Sequence, residues 1–375
     1  MNRVGVDIAV VGGGIVGGAI AYGIARLGAK TVLLDGQDRD YRAAAANFGL
    51  VWQHGKGMNM PAYQRLTRQS VMRWNEFAGE LTDSTGIDLQ LEQNGGIYLC
   101  SGETGLEQRR AVLSQLSEQY PEAGGDWEML DRSELASLMP KVIFGNDVAG
   151  ASFGRNDGHA NPLRLLRSLH RGYVRAGGEL RGGVHVRTIE RDGEGFAITF
   201  GDERIHAARV VIAAGLGSKS LAAQVGLDVP VRPLRGQILV TERVQPILPL
   251  PTMDVRQTAE GTVMIGTTQE EVGFNSATTT AAAAAMSAQA LRQMPSLGKA
   301  TLVRQWSGLR IMTPDGHPIY SESATCPGAF VAQCHSGVTL AAIHADLLAR
   351  AVVDGRLPDS FDAFHQRRFD VPQAA

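Results

Sequence analysis

The sequence predicts an α/β fold of two interleaved parts, and three observations carry the prediction. The first is the opening run of apolar strand, glycine turn, small-residue helix, second strand and acid, complete by residue 35. The second is another apolar strand ending in a glycine turn, Val-Val-Ile-Ala-Ala-Gly, which closes at Gly215. The third is the remaining pattern, strand-rich from Pro230 to about Ser276 and without a dinucleotide signature. The first two belong to a Rossmann-type parallel sheet with helices on its faces. The rest predicts an α+β domain built on an antiparallel sheet.

The opening motif is read from its context. Gly12, Gly14 and Gly17 follow the apolar strand 6–11, open a helix that runs to Gly28, and precede Asp35 at the end of strand 30–35. Gly12 permits the tight turn, Gly14 lets backbone N–H groups approach a pyrophosphate, and Gly17 lets helix and strand pack closely. The helix N-terminus adds partial positive charge for phosphate oxygens. Asp35 is placed to accept from a ribose 2′-hydroxyl, which argues against a 2′-phosphate. These residues imply FAD or NAD.

Further along, the alanines before Asn47 give a short helical turn that Asn47 and Gly49 break. The spacing of Leu66, Val71, Trp74, Phe77 and Leu81 predicts a helix over about 61–86. A strand at 96–100, a polar helix over 103–119 and an Asp131-capped helix follow. Asn161 and Pro162 start another helix as cap and first residue. Strands are expected at 184–186, 196–200 and 208–214, then at 237–241 and 262–266, with an alanine-rich helix over 279–294. A strand at 329–333, a glycine turn at Gly337 and a helix over 339–353 close the chain. The expected division is 1–60, 151–226 and 301–375 for the nucleotide domain, and 61–150 and 227–300 for the substrate domain.

Bulk properties narrow the class. The chain has 375 residues and a formal net charge of −2, which favours neither nucleic acid nor an anionic membrane. It contains no apolar run long enough to span a bilayer, and it enters a strand within five residues of Met1, so a cytoplasmic location is expected. Cys100, Cys326 and Cys334 have no metal-ligand spacing and read as small buried hydrophobes; no metal site is expected.

The order of these elements, with the turn Cys334-His335-Ser336-Gly337-Val338-Thr339, resembles the D-amino-acid oxidase family of flavoproteins over essentially the whole chain. The resemblance implies non-covalent FAD rather than NAD. It places cofactor contacts at Gly12, Gly14, Ile15, Val16, Gly17, Asp35, Arg42, Asn47, Gly49, Leu50, Val186 and Gly215, at Arg310, and at Ser336, Gly337, Val338 and Thr339. Two segments, Asn47-Phe48-Gly49-Leu50-Val51-Trp52 and Gly308-Leu309-Arg310 with Thr313-Pro314-Asp315-Gly316, are similar to the β subunits of D-hydroxyproline dehydrogenases and opine oxidases. That similarity implies oxidation of the C–N bond of a secondary-amine amino acid. It also implies a hetero-oligomer with an iron–sulfur protein and a second flavin- or NAD-type subunit.

Such chemistry asks little of side chains. The flavin takes hydride from the substrate α-carbon at N5, while the protein holds the carboxylate, orients the C–H bond and excludes water. Arg310 is the candidate carboxylate clamp, a planar fork that meets a carboxylate bidentately; the competing reading pairs it with Asp315. His335 is a candidate to orient the flavin or the substrate amine. His54 and Lys56 are candidates to face the flavin, and Trp52, Trp306 and Tyr63 to wall the pocket. Met264 stands where sarcosine-oxidase-like relatives carry an oxygen-promoting lysine, which favours a dehydrogenase. The reading is an FAD-dependent dehydrogenase, with cis-4-hydroxy-D-proline first, opines such as nopaline or octopine second, and glycine or sarcosine third. An electron-relay subunit is the rival of a different class, and Arg310 argues against it.

Overall fold

The computed structural model describes residues 5–36, 43–123 and 125–370. Its central strand, Gly5–Val11, ends in four consecutive buried apolar residues, Ile8 to Val11, instead of alternating. It lies between the parallel strands Glu203–Ile212 and Thr31–Asp35 in an eight-stranded sheet. Ala329–Gln333 extends the sheet in parallel on one side and Glu179–Gly182 on the other. Side chains alternate between the two faces. Ile8, Val10 and Leu33 join one core with the helices Ile15–Arg26 and Pro162–Arg175. Ala9, Val11, Val32 and Leu34 join another with Phe196, Ile198 and Leu221.

A second, four-stranded antiparallel sheet has the order Val255–Gln257, Thr262–Gly266, Arg232–Arg243, Leu302–Met312. A three-stranded sheet of Gly96–Ser101, Val148–Gly154 and Trp127–Asp131 packs beside it through Ile97, Ala151, Leu239 and Val255. Local signals set several boundaries. Asp131 forms a capping box with Glu134, Asn161 accepts from the N–H groups of Leu163 and Arg164, and Thr279 caps the helix Thr280–Gln293.

Three placements differ from the sequence reading. The helix Pro61–Thr85 has the expected buried face, yet Leu66, Trp74 and Phe77 enter the core of the parallel sheet and not a separate substrate layer. The strand Leu302–Met312 pairs with Arg232–Arg243 from Met312↔Arg232 to Leu302↔Thr241, so the antiparallel sheet extends past the boundary expected at 301. The strand expected at 184–186 begins at Val186 and runs to Asp192. Cys100 and Cys334 are buried, whereas Cys326 is half-buried; all three are free thiols. No helix among the described residues is long and apolar enough to cross a membrane.

Candidate active site

The glycine turn sits where the first parallel strand meets its helix, and each glycine has its own steric reason. Gly12 has φ +105°, and a Cβ there would lie 2.4 Å from the Ala213 carbonyl oxygen. A Cβ on Gly17 would lie 1.9 Å from the Gly12 carbonyl oxygen, so helix and turn could not close together. Gly14, the helix N-cap, differs: a Cβ would meet no protein atom within 4 Å. Its open side faces a cavity of about 930 Å³, and no side chain caps the helix. An uncapped helix N-terminus at an open glycine suits a pyrophosphate.

The cavity is lined by Asp35 and Val186 from the parallel sheet and by Gly308 and Arg310 from the antiparallel one. Ile15, Val16, Asn47, Leu50 and Gly215 line it too, as does the turn His335, Ser336, Gly337, Val338, Thr339. Gly17 and Gly49 stand behind the wall as packing positions; Gly49 has φ +93° and lies against the Ala160 carbonyl. Asn47 holds this bend by accepting from the Gly49 N–H at 2.7 Å. Arg42, expected to touch the cofactor, lies outside the described residues. The open glycine, the uncapped helix and Asp35 on the same cavity fit FAD, with Asp35 a candidate to hold its ribose. Among the described residues no cluster of His, Cys, Asp and Glu could hold a metal ion.

Arg310 projects from the strand Leu302–Met312 over Gly236, where a Cβ would lie 2.6 Å from its guanidinium. It donates to the Thr268 carbonyl at 2.9 Å and to the Thr267 hydroxyl at 2.6 Å. Both acceptors are neutral, and burial lowers its pKa. Asp315 is bound to Arg368 at 2.7 Å and does not neutralise Arg310. The loop carrying Thr267 and Thr268 is itself fastened by Glu270, which accepts from Arg235 at 2.6 Å and from Gln237 at 2.8 Å. These bonds hold the Glu270 carboxyl down at about 2. A positively charged fork is thus fixed at the cavity wall without a carboxylate partner among the described residues.

The closing turn carries the second polar group of the site. Lys56 donates to Ser336 Oγ at 2.9 Å and lies 3.4 Å from Thr339 Oγ1. Burial lowers its pKa to about 8, against the opposing field of Asp157. Tyr63 also donates to Ser336 Oγ, at 2.9 Å, and stands behind the turn. His335 lines the cavity, but burial, with Lys56, Arg310 and His317 nearby, pushes it down to about 3. It is therefore a neutral imidazole across the physiological range.

His54 and Trp306, also expected at the site, stand away from the cavity, as do Gly17, Gly49 and Tyr63. His54 is 5% exposed, with Nδ1 2.8 Å from Asp157 Oδ2 and Nε2 2.7 Å from Ser152 Oγ. Its carbonyl accepts from Trp52 Nε1 at 3.0 Å, so it positions Trp52, which does line the cavity. Trp306 packs in a small cluster with Phe48, Ile238, Val240 and Met264, of which Phe48 and Ile238 reach the cavity. Met264 is buried in that cluster and contributes nothing to the wall; the cation at the wall near the turn is Lys56. Thr267, Gln269, Phe274 and Met253 line the cavity without having been singled out in the sequence.

Known proteins share this outline. The family model described as DAO, FAD dependent oxidoreductase, matches residues 7–351. An opine oxidase subunit of Agrobacterium tumefaciens (strain Ach5) is 40% identical over 98% of this chain and 99% of its own. Its Rhizobium meliloti counterpart is 39% identical over the same shares. Among solved structures, glycine oxidase from Geobacillus kaustophilus superposes with a TM-score of 0.87 at 24% identity, covering 96% of this chain and 98% of its own, an agreement that speaks for the fold. With the glycine cradle, the acid beside it and the family match over almost the entire length, this chain belongs to the DAO family of FAD-dependent oxidoreductases.

Proposed function

We propose that this chain oxidises the C–N bond of an N-substituted amino acid of the opine type, such as nopaline or octopine. The observation that carries the reading is Arg310, a half-buried guanidinium at the wall of the FAD cavity whose hydrogen-bond acceptors among the described residues are neutral. A fork so placed suits a substrate carboxylate, which it meets with two parallel hydrogen bonds. The names of the relatives at 40% and 39% identity favour an opine over the cyclic D-hydroxyproline expected from the sequence.

Bound FAD supplies the two-electron acceptor. The chain supplies the rest. Arg310 fixes the carboxylate and with it the direction of the α-carbon C–H bond. Trp52, Phe48 and Ile238 give apolar wall that excludes water. Neutral His335 accepts or donates one hydrogen bond without adding charge. The ammonium of Lys56, present below about pH 8, favours electron density gained in the cavity. Loss of hydride from the α-carbon and a proton from nitrogen leaves an imine, which water splits into an amino acid and a keto acid. Both opine oxidase relatives are named as one subunit of their enzyme, which supports work within a complex. An iron–sulfur protein and a second flavin- or NAD-type subunit are the proposed partners.

The test is anaerobic bleaching of the oxidised flavin band in the purified FAD-loaded chain. Nopaline, octopine, cis-4-hydroxy-D-proline, sarcosine and glycine are run in parallel. The reading expects fastest bleaching by an opine. Fastest bleaching by hydroxyproline or glycine refutes the opine assignment, and no bleaching by any of the five refutes catalysis by this chain alone.

A further inference from the structure

Next to the FAD cavity lies a second, of about 440 Å³, between the helices Gly102–Gln119 and Thr280–Gln293. Its rim includes the exposed side chains of Gln108 and Gln289, so it opens to solvent. Its floor includes Thr252, Met253 and Asp254, and Met253 also lines the FAD cavity. The two spaces therefore share one side chain as their partition.

Two charged groups line this second cavity, and they are in different states. Arg109 is committed: its Nε donates to Ser152 Oγ at 2.8 Å, and its guanidinium lies 4.1 Å from the centre of the Tyr98 ring. Asp254 is not. Its N–H donates to Thr252 Oγ1 at 3.3 Å and its carbonyl accepts from Gly266 at 2.9 Å, both through the backbone. The carboxylate itself has no hydrogen-bond or ion-pair partner among the described residues. Burial alone raises its pKa to about 6. A half-buried carboxylate without a partner is incompletely solvated, and a cation entering the cavity would pair with it.

The position of Asp254 relative to Arg310 follows from the strand register. Val255 pairs with Ile265, so Asp254 stands opposite Gly266, and the next residue, Thr267, binds Arg310. Thr267 Oγ1 lies 2.6 Å from the Arg310 guanidinium, and one inter-strand step and one step along the chain put the Cα atoms of Asp254 and Thr267 within about 9 Å. That is the scale of an extended arginine-sized arm.

We propose that Asp254 is the recognition point for a cationic group, a guanidinium or ammonium, at the far end of the substrate whose carboxylate Arg310 holds. The assignment rests on the N-substituted amino-acid reading and narrows it to substrates with a basic arm, which reaches the second cavity past Met253. Gln289 and Gln293 line the same space and offer amide oxygens to the remaining N–H groups. A neutral arm of the same shape would leave the carboxylate unpaired, so discrimination comes from Asp254 more than from fit.

Calorimetry on the FAD-loaded protein decides this with L-arginine and L-citrulline, which differ by a charged guanidinium against a neutral ureido group. Arginine is expected to bind at least tenfold more tightly, and Asp254→Asn to abolish the difference. Asp254→Asn removes no internal hydrogen bond of the side chain, and its flavin spectrum and melting curve report folding. Should that variant not fold, the wild-type comparison decides alone. Equal affinities, no arginine binding, or a preference that survives in folded Asp254→Asn overturns the assignment. An arginine preference in a protein whose flavin no N-substituted amino acid bleaches refutes the proposed function and leaves the cation site standing.

Discussion

Replacing Arg310 by alanine tests the core of the site, and the structure sets the size of the effect. A guanidinium has five N–H donors; two are spent on the Thr268 carbonyl and the Thr267 hydroxyl. Three remain, enough for a two-pronged carboxylate contact. Each hydrogen bond to a charged group is worth about 1.5–3 kcal/mol, so losing two costs about 3–6 kcal/mol. At about 1.4 kcal/mol per factor of ten, kcat/KM should fall on the order of 10²- to 10⁴-fold. Arg310→Lys keeps the charge but not the planar fork, and should fall between the two. The assay is anaerobic stopped-flow bleaching with FAD content measured on each variant. Truncation also leaves the Thr268 carbonyl without its donor, so a modest loss of thermal stability is expected alongside. An Arg310→Ala enzyme with full FAD and kcat/KM within about threefold of wild type would refute the clamp.

Three further outcomes follow from the same structure. Gly14→Ala should fold, because its Cβ meets no protein atom within 4 Å, yet lose FAD affinity at least tenfold in a flavin-release titration; Gly17→Ala, with its 1.9 Å contact, should not accumulate as folded protein. Asp157→Ala leaves buried His54 and the N–H of Gln53 without their acceptor, and should lower stability by about 3–5 kcal/mol in denaturant titration; a change under about 1 kcal/mol would contradict a structural role for this network. Lys56 is charged below about pH 8 and neutral above it, so any acceleration it gives to substrate-driven bleaching is lost as pH rises through that value. Lys56→Met should lack this step. Because the folded pKa lies below the ordinary 10.5, wild-type stability should also rise relative to Lys56→Met between about pH 8 and 10.5.

The legible parts of this molecule are those whose physics is local. Glycine spacing exposes the cradle because the turn and the helix it opens are adjacent in the chain, with Gly17 packed on the Gly12 carbonyl five residues before it. Caps at Asp131, Asn161 and Thr279 are readable for the same reason. The helix Pro61–Thr85 shows its period but not its destination, since nothing local says which sheet its apolar face will meet. His54 illustrates the limit most clearly. A histidine in a glycine-flanked loop reads as available, and only folding brings Asp157, 103 residues away, to bury and bind it. Arg310 could be picked out through the family resemblance, but its anchors Thr267 and Thr268 depend on a loop fastened by the distant pair Arg235 and Glu270. Met264 raised the question of a missing cation. Lys56 supplies one from another segment, at a turn that only the fold assembles.

A single anaerobic turnover of the FAD-loaded chain with an opine, with the products counted, puts the proposed reaction to its sharpest test. One amino acid and one keto acid released per flavin bleached would show that this chain itself cleaves the C–N bond. A bound flavin that stays oxidised, or bleaches without releasing a keto acid, would contradict it.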